Sequence, residues 1–304
     1  MAGALGRALD SDLWWSFKRS PVTVASAIVA ILCIGGALLA PVIAPSDPFD
    51  LASLNLSDAF KPPAWDAEGD RAFPLGSDDQ GRDLLSAILY GARISVLVGV
   101  CAVLFSTFLG IAVGLTAGYL GGTVDSLLMR IADIQLTFPG ILIALLVDGI
   151  VRAAVPREVH DQIAIFVVIF AIGISAWPQF ARTIRGSTLV ERNKEYVLAA
   201  RVIGLSRLRI MLTHVLPNVL GPVLVIATLN LGLAILAEAT LSFLGVGVPA
   251  TQPSLGTLIR IGNDFLFSGE WWITIFPGIA LIVLVLSVNL LGDWLRDALN
   301  PKLR

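Results

Sequence analysis

The sequence predicts an all-α, polytopic membrane protein with six transmembrane helices, and three observations carry that prediction. Hydrophobic residues make up 56% of the 304-residue chain and charged residues only 14%, against roughly 25% charged in an ordinary soluble domain. Mean hydropathy is +0.83, more apolar surface than a single soluble core can use. Six apolar runs approach the roughly 20 residues that a helix needs to cross the hydrocarbon layer.

The elements follow in order. Residues 1–21 form a polar N-terminal segment, and 22–44 (Val22 to Ala44) the first span. Val42-Ile43-Ala44 resembles a cleavage site, but the apolar run is too long for a signal peptide, so an uncleaved anchor is expected. Residues 45–93 form an extracytoplasmic segment ending in an interfacial helix. There Leu84, Leu85, Ile88, Leu89 and Ala92 make one apolar face, with Arg82, Asp83 and Ser86 off it. Residues 94–292 hold the five-helix core, with spans at Ile94–Ala117, Ile134–Val151, Ile163–Phe180, Val219–Phe243 and Ile273–Leu291. A loop at 182–217 interrupts this core, and residues 293–304 form the tail.

Orientation follows from the bias of lysine and arginine toward cytoplasmic loops. With the N-terminus inside, fourteen of the 21 Lys and Arg residues fall on the inner side and seven outside. Both termini are therefore expected to be cytoplasmic. The outer segment from Asp47 to Asp83 carries nine acidic residues, which suits the far face of the membrane.

The loop reads EYVLAARVIGLSRLRIMLTHVLPN from Glu195 to Asn218. Ala, Leu, Arg and Glu favour a helix from about Lys194 to Ile203, on which Tyr196, Leu198, Ala199, Val202 and Ile203 can cluster. Gly204 is placed to end it in the left-handed conformation. Ser206 is a candidate N-cap for a second piece reaching Val215, and Pro217 suits the start of the next helix. On charge alone this is an ordinary basic cytoplasmic loop.

The spacing says more. Ala199-Ala200, Gly204 and Leu216-Pro217 resemble the loop of ABC importer permeases, with the pattern EAA, three residues, Gly, nine residues, Ile, one residue, Leu-Pro. Leu198 replaces the Glu and His214 the Ile, departures that resemble the dipeptide/oligopeptide branch. Phe73–Ser95 (FPLGSDDQGRDLLSAILYGARIS), the EATLSFLGVG stretch within Ile235–Pro253, and Gly292–Pro301 (GDWLRDALNP) resemble the same branch. Leu75-Gly76, Ala87 and Asn300 are mild departures from it. The resemblance covers essentially the whole chain from about residue 12.

It implies a type I importer permease fold and a permease subunit carrying peptides or related small cargo. Its partners would be a second, homologous permease, two cytoplasmic ATPase subunits and an extracytoplasmic binding protein, in the lipid of the inner membrane and with no nucleic acid. Glu195, Tyr196, Ala199, Ala200, Arg201, Gly204, Leu205, Arg209, His214, Leu216 and Pro217 would form the ATPase-docking coupling helix and its flank. ATP and Mg would sit on the ATPases, and this chain would bind no cofactor. The cargo stays open among dipeptides, oligopeptides, glutathione, nickel complexes and haem-like molecules.

Other polar residues are weighed singly. Glu238 falls in the fifth span, where a carboxylate is costly and faces protein or a water path. Substrate recognition, gating and a structural hydrogen bond compete, and the structural role is expected. Asp148 is expected at the outer interface, and Asp78-Asp79 in a solvated or capping role. His214 reads as a docking or structural polar residue rather than a proton switch. Gly110, Gly114 and Gly118 form a small-residue packing stripe. Cys33 and Cys101 lie in apolar runs and suit neither a disulfide framework nor a metal.

No phosphate-cradling G-x-x-x-x-G-K-[ST], no H-E-x-x-H and no G-x-S-x-G occurs. The chain is thus expected to perform no chemistry itself, and uphill transport would draw energy from elsewhere. An ion-coupled secondary transporter acting without an ATPase is the alternative, but no internal repeat supports it. An intramembrane enzyme would need a polar dyad that the spans do not offer.

Overall fold

A computed structural model describes residues 12–50 and 54–298. Its helices are α1 (Asp12–Arg19), α2 (Pro21–Leu38), α3 (Ala40–Ile43), α4 (Leu84–Leu120), α5 (Gly122–Leu136), α6 (Gly140–Ala154), α7 (Arg157–Glu191), α8 (Glu195–Val202), α9 (Arg207–Ile210), α10 (Leu216–Phe243), α11 (Leu255–Asn263) and α12 (Trp272–Ala298). Among the described residues there is no strand. The tail 293–304, and the motif ending at Pro301, run past residue 298 and lie partly outside the described residues, as does most of segment 1–21.

Among the described residues five helices are long and apolar enough to cross a membrane, and the count is six with the bent pair α5–α6 taken as one span. The expected straight span from Ile134 to Val151 is therefore corrected. The chain turns by 90° between α5 and α6, across Thr137-Phe138-Pro139. Proline disfavours the α conformation at the residue before it, so α5 has to stop there. Pro139 itself is extended and caps α6.

The expected interfacial helix is continuous with the second span rather than a separate element. Leu84–Ala92 are the first turns of α4, which runs unbroken for 37 residues. At 1.5 Å per residue that is about 55 Å, well beyond a hydrocarbon layer of about 30 Å. Arg82, Asp83 and Ser86 do not face solvent; all three are buried. Asp83 caps α4, accepting from Ser86 N and Ser86 Oγ at 2.8 and 2.6 Å. Asp78 is also buried rather than solvated. It receives Arg82 Nε at 2.5 Å and caps the backbone N–H groups of Gln80 and Arg82 at 2.9 Å each.

Helix α4 is the spine of the bundle, and its closest partner is α7. The glycine stripe makes that approach possible. A β-carbon at Gly110 would lie 2.3 Å from Phe180 Cβ, one at Gly114 2.4 Å from Ala181 O, and one at Gly118 2.7 Å from Thr188 Cβ. Lipid supplies no hydrophobic drive between helices, so this backbone-close packing is a main source of cohesion.

Pro178 interrupts α7. It has no N–H to give, which leaves the carbonyl of Ile174 without its helical donor. Gln135 of α5 fills the gap: its Nε2 donates to Ile174 O, and its Oε1 accepts Trp177 Nε1 at 2.8 Å. One amide thus ties the α5–α6 bend to the weak point of α7.

At the other end of the bundle the segment before α4 packs on α12. Trp272 Nε1 donates to Ser77 O at 3.1 Å, and Trp65 stacks edge-on to Phe276. Asp148, expected at the outer interface, is buried against protein near the end of α6. It accepts Arg152 Nε at 2.5 Å and faces His160 Nε2 at 3.2 Å, while Arg152 Nη2 also reaches Gly245 O at 3.2 Å. Taking a carboxylate out of water is costly unless it is paired, and these two partners satisfy it.

Candidate functional site

The polar loop contributes fewer residues than its sequence bounds suggest. Arg182 to Glu191 continue α7, and two of the loop's arginines pair with acidic residues of α5: exposed Arg182 meets Asp133, and half-buried Arg185 grips Asp125 with two bonds of 2.5 and 2.6 Å. The exposed unit begins near Arg192. Its guanidinium donates to Gly118 O at 2.7 Å, closing the C-terminus of α4, where cations are favoured.

Helix α8 follows. Glu195 lies in its first turn and Arg201 in its last, each matched to the helix dipole. Gly204 has φ +79°. Leu205 N donates to Ala200 O at 3.1 Å and Gly204 N to Arg201 O at 3.0 Å, the paired bonds of a Schellman cap. Ser206 then caps α9 through Arg209 N at 3.4 Å. A π-helical turn, Met211–Val215, joins α9 to α10, with Pro217 at its start.

Tyr196 anchors the unit. Its hydroxyl bonds Glu191 and accepts Asn218 Nδ2 at 3.1 Å. Burial first, then the hydrogen bond to Glu191 and its negative charge, pushes the phenol up to about 12, so it keeps its proton at physiological pH. Arg201 lies over the ring of Tyr119 at 5.0 Å, and its Nε donates to Tyr119 Oη at 3.3 Å. Thr213 donates to Arg209 O at 2.6 Å; with that proton committed, His214 Nδ1 donates to Thr213 Oγ1 at 2.7 Å.

The predicted residues therefore divide. Glu195, Tyr196, Ala199, Arg201, Gly204, Arg209 and Pro217 are exposed, and Leu205, His214 and Leu216 are half-buried. Ala200 is a correction: it is buried with Val197, Ile210, Met211 and Val215 against the chain's own core. Its small side chain seats α8 on the bundle and is not available to a partner. In its place the surface shows Val202, 87% exposed, and Ile203, 73% exposed, with Leu198, Leu208 and Leu212 beside them. The sequence pattern put Val202 and Ile203 on the helix but gave no sign that they face out.

Glu238 lies far from this unit, in α10, and is fully buried. Ser95 Oγ donates to its Oε2 at 2.6 Å and Ser242 Oγ to its Oε1 at 2.7 Å. Ser95 in turn accepts Leu255 N at 3.3 Å, and Ser242 accepts Val248 N at 3.1 Å. One carboxylate thus joins α4, α10, α11 and the turn between the last two. Each lost hydrogen bond to such a group is worth about 1.5–3 kcal/mol, so Glu238→Leu should destabilise the bundle by about 3 kcal/mol or more. Glu238→Gln, which keeps an acceptor, should cost less. Thermal midpoints of the detergent-purified variants check this, and equal midpoints for Leu and wild type would refute it.

An integral-membrane transport subunit is the class that these features define: a lipid-exposed bundle with a rigid polar ledge at one end. Comparison with known proteins gives the family. Residues 110–304 match the profile described as "Binding-protein-dependent transport system inner membrane component", and residues 11–63 match "N-terminal TM domain of oligopeptide transport permease C". The dipeptide transport system permease protein DppC of Haemophilus influenzae is 38% identical, covering 96% of this chain and 95% of its own length. DppC of Escherichia coli K12 is 40% identical, covering 96% and 93%. The oligopeptide transport system permease protein OppC of Bacillus subtilis is 35% identical, covering 98% and 91%. Among solved structures, the inward-facing MetNI methionine ABC transporter aligns at 20% identity and a TM-score of 0.48, covering 67% of this chain and 94% of its own. The chain belongs to the binding-protein-dependent transport system inner membrane component family, and is a multi-pass permease subunit with that family's helical fold.

Proposed function

We propose that this chain is one of two permease subunits of an ATP-driven importer of di- or oligopeptides, and that α8 with its exposed flank is where an ATPase docks. The observation that carries the reading is the ledge itself. Val202 and Ile203 are the most exposed apolar residues of a unit otherwise locked by Tyr196, Arg192 and Arg201 to three membrane helices. A rigid ledge with an apolar tip is suited to transmit movement, because force applied at α8 reaches α4, α7 and α10 directly. Peptide cargo is supported by the dipeptide and oligopeptide transport systems to which the relatives belong, which align along nearly their whole length. The partners are a second, homologous permease, two cytoplasmic ATPases holding ATP and Mg, and an extracytoplasmic binding protein. Both termini and α8 lie on the cytoplasmic side, as the positive-inside bias favours. The chain itself performs no chemistry. ATPase closure would shift the populations of inward- and outward-open states.

Gly204 tests the docking assignment. A β-carbon there meets nothing within 4 Å, so its constraint is conformational and not steric. A β-branched residue in the left-handed region costs about 1–3 kcal/mol. Gly204→Val should therefore open the cap, uncouple or release the ATPases, and leave membrane insertion intact, while Gly204→Asn should do less. Transport and ATPase association in the Val variant equal to wild type would sink the assignment.

A further inference from the structure

Between α4, the α5–α6 bend, α7 and α10 lies a cavity of about 380 Å³. Among the described residues no Asp, Glu, Lys or Arg lines it. Its polar groups are Ser106, Ser175, Gln179, Asn230 and the bend amide Gln135. Asn230, only 9% exposed, sits midway along α10, and Ser106 lies well inside α4.

The hydrogen bonds of these groups decide what the cavity offers. Ser106 Oγ donates to Val103 O at 3.1 Å, Ser175 Oγ to Ile172 O at 2.7 Å, and Asn230 Nδ2 to Ile226 O at 2.8 Å. Both hydroxyl donors are spent on their own helices, and Asn230 spends one of its two amide N–H groups likewise. The two hydroxyl oxygens and Asn230 Oδ1 keep free lone pairs, and Asn230 Oδ1 receives no donor from the described residues. Facing them is the N-terminus of α6, whose cap residue Pro139 makes no side-chain bond. Gly140 opens that helix beside Ser175, where a β-carbon would be 3.5 Å from Ser175 Oγ. Uncapped N–H groups and the helix dipole favour an anion there.

We propose that this cavity is a transit site that holds a peptide by its main chain. The terminal carboxylate meets the N–H groups opening α6. The ammonium and amide N–H groups meet Asn230 Oδ1 and the oxygens of Ser106 and Ser175. With no fixed charge on the wall, cargo side chains of either sign pass. The assignment rests on the peptide-import reading and adds where, and by which groups, the permease touches its cargo. Broken helices at mid-membrane are a recurrent way to build such contacts.

The test is uptake of radiolabelled dialanine, lysyl-alanine and glutamyl-alanine by cells carrying the complete transporter, at matched membrane abundance and ATPase association. Comparing variant with wild type for each peptide cancels what a binding protein contributes. Asn230→Leu should lower uptake of all three. Gln179→Glu breaks no side-chain bond of the described residues and puts a carboxylate on the wall. It should raise the ratio of lysyl-alanine to glutamyl-alanine uptake by about tenfold, the effect of about 1.4 kcal/mol of charge discrimination. An unchanged ratio in Gln179→Glu overturns the transit site whatever Asn230→Leu does. A wild-type transporter that imports none of the three sinks the peptide reading, and the transit site with it, a result distinct from normal import with an unchanged ratio.

Discussion

Replacing Val202 and Ile203 together by aspartate is expected to abolish co-purification of ATPase with the permease while leaving the bundle folded. Neither side chain has much to lose within the chain: they are 87% and 73% exposed. Surface substitutions of this kind usually change stability by no more than about 0.5 kcal/mol. Against a partner the account differs. An apolar residue at the centre of an interface can contribute about 2 kcal/mol or more, and a buried, unpaired carboxylate costs about 3–5 kcal/mol. Two such changes exceed 4 kcal/mol together, and every 1.4 kcal/mol is about tenfold in affinity. The complex should weaken by about a thousandfold or more, beyond what affinity purification retains. Affinity pull-down and the thermal midpoint of the permease are read side by side. Undiminished ATPase with an unchanged midpoint would refute docking at this tip.

The outward direction of Val202 and Ile203 was not legible in the sequence for a physical reason. Tyr196, Leu198, Ala199, Val202 and Ile203 do form an apolar set on α8, and in a soluble domain that set would mark the buried face. Here the seat is made by Val197 and Ala200, which pack with Ile210, Met211 and Val215 in the core. Local signals were legible. Gly204 ends the helix because glycine tolerates φ +79°, and Ser206 caps the next piece because its hydroxyl reaches Arg209 N. The bulk of the membrane crossings was equally legible, since lipid demands long apolar runs at α2, α10 and α12.

What stayed hidden were breaks and pairings inside those runs. Hydropathy does not reveal the α5–α6 bend, because the apolar run from Ile134 continues across it; Pro139 marks it. Hydropathy also cut α4 at Arg93, although the helix begins at Leu84, where Ser86 and the capping Asp83 are buried. Asp148 and His160 lie twelve residues apart on separate helices, and no periodicity announces their contact. The transit cavity is hidden for the same reason: Ser106, Ser175 and Asn230 are scattered over three helices and meet only through tertiary packing. The role of Gln135 near Pro178 had one readable sign, a proline within an apolar helix that must leave a carbonyl needing a donor.

Gly114→Val is expected to lower the thermal midpoint of the purified permease by about 5–10 °C, the second largest effect of those considered. The new side chain would begin 2.4 Å from Ala181 O and 2.9 Å from Ile184 Cβ. The first of these is backbone and cannot rotate away. Nor can α7 slide as a body. It is held at one end by Arg192 on Gly118 O and by Arg185 on Asp125, near Pro178 by Gln135, and at the other end by His160 on Asp148. Overpacking a fixed contact costs about 1–3 kcal/mol, sometimes more, and in lipid no compensating hydrophobic gain accompanies the added methyl groups. At about 2–4 °C per kcal/mol for a chain of this order of size, the upper part of that range gives the stated shift. Gly186 supplies the control on the facing helix. It is also a helical glycine, but a β-carbon there meets nothing within 4 Å. Gly186→Ala should hold or raise the midpoint, since alanine is favoured over glycine in a helix by about 1 kcal/mol. A wild-type midpoint for Gly114→Val would mean that α4 and α7 do not approach as closely as the stripe requires.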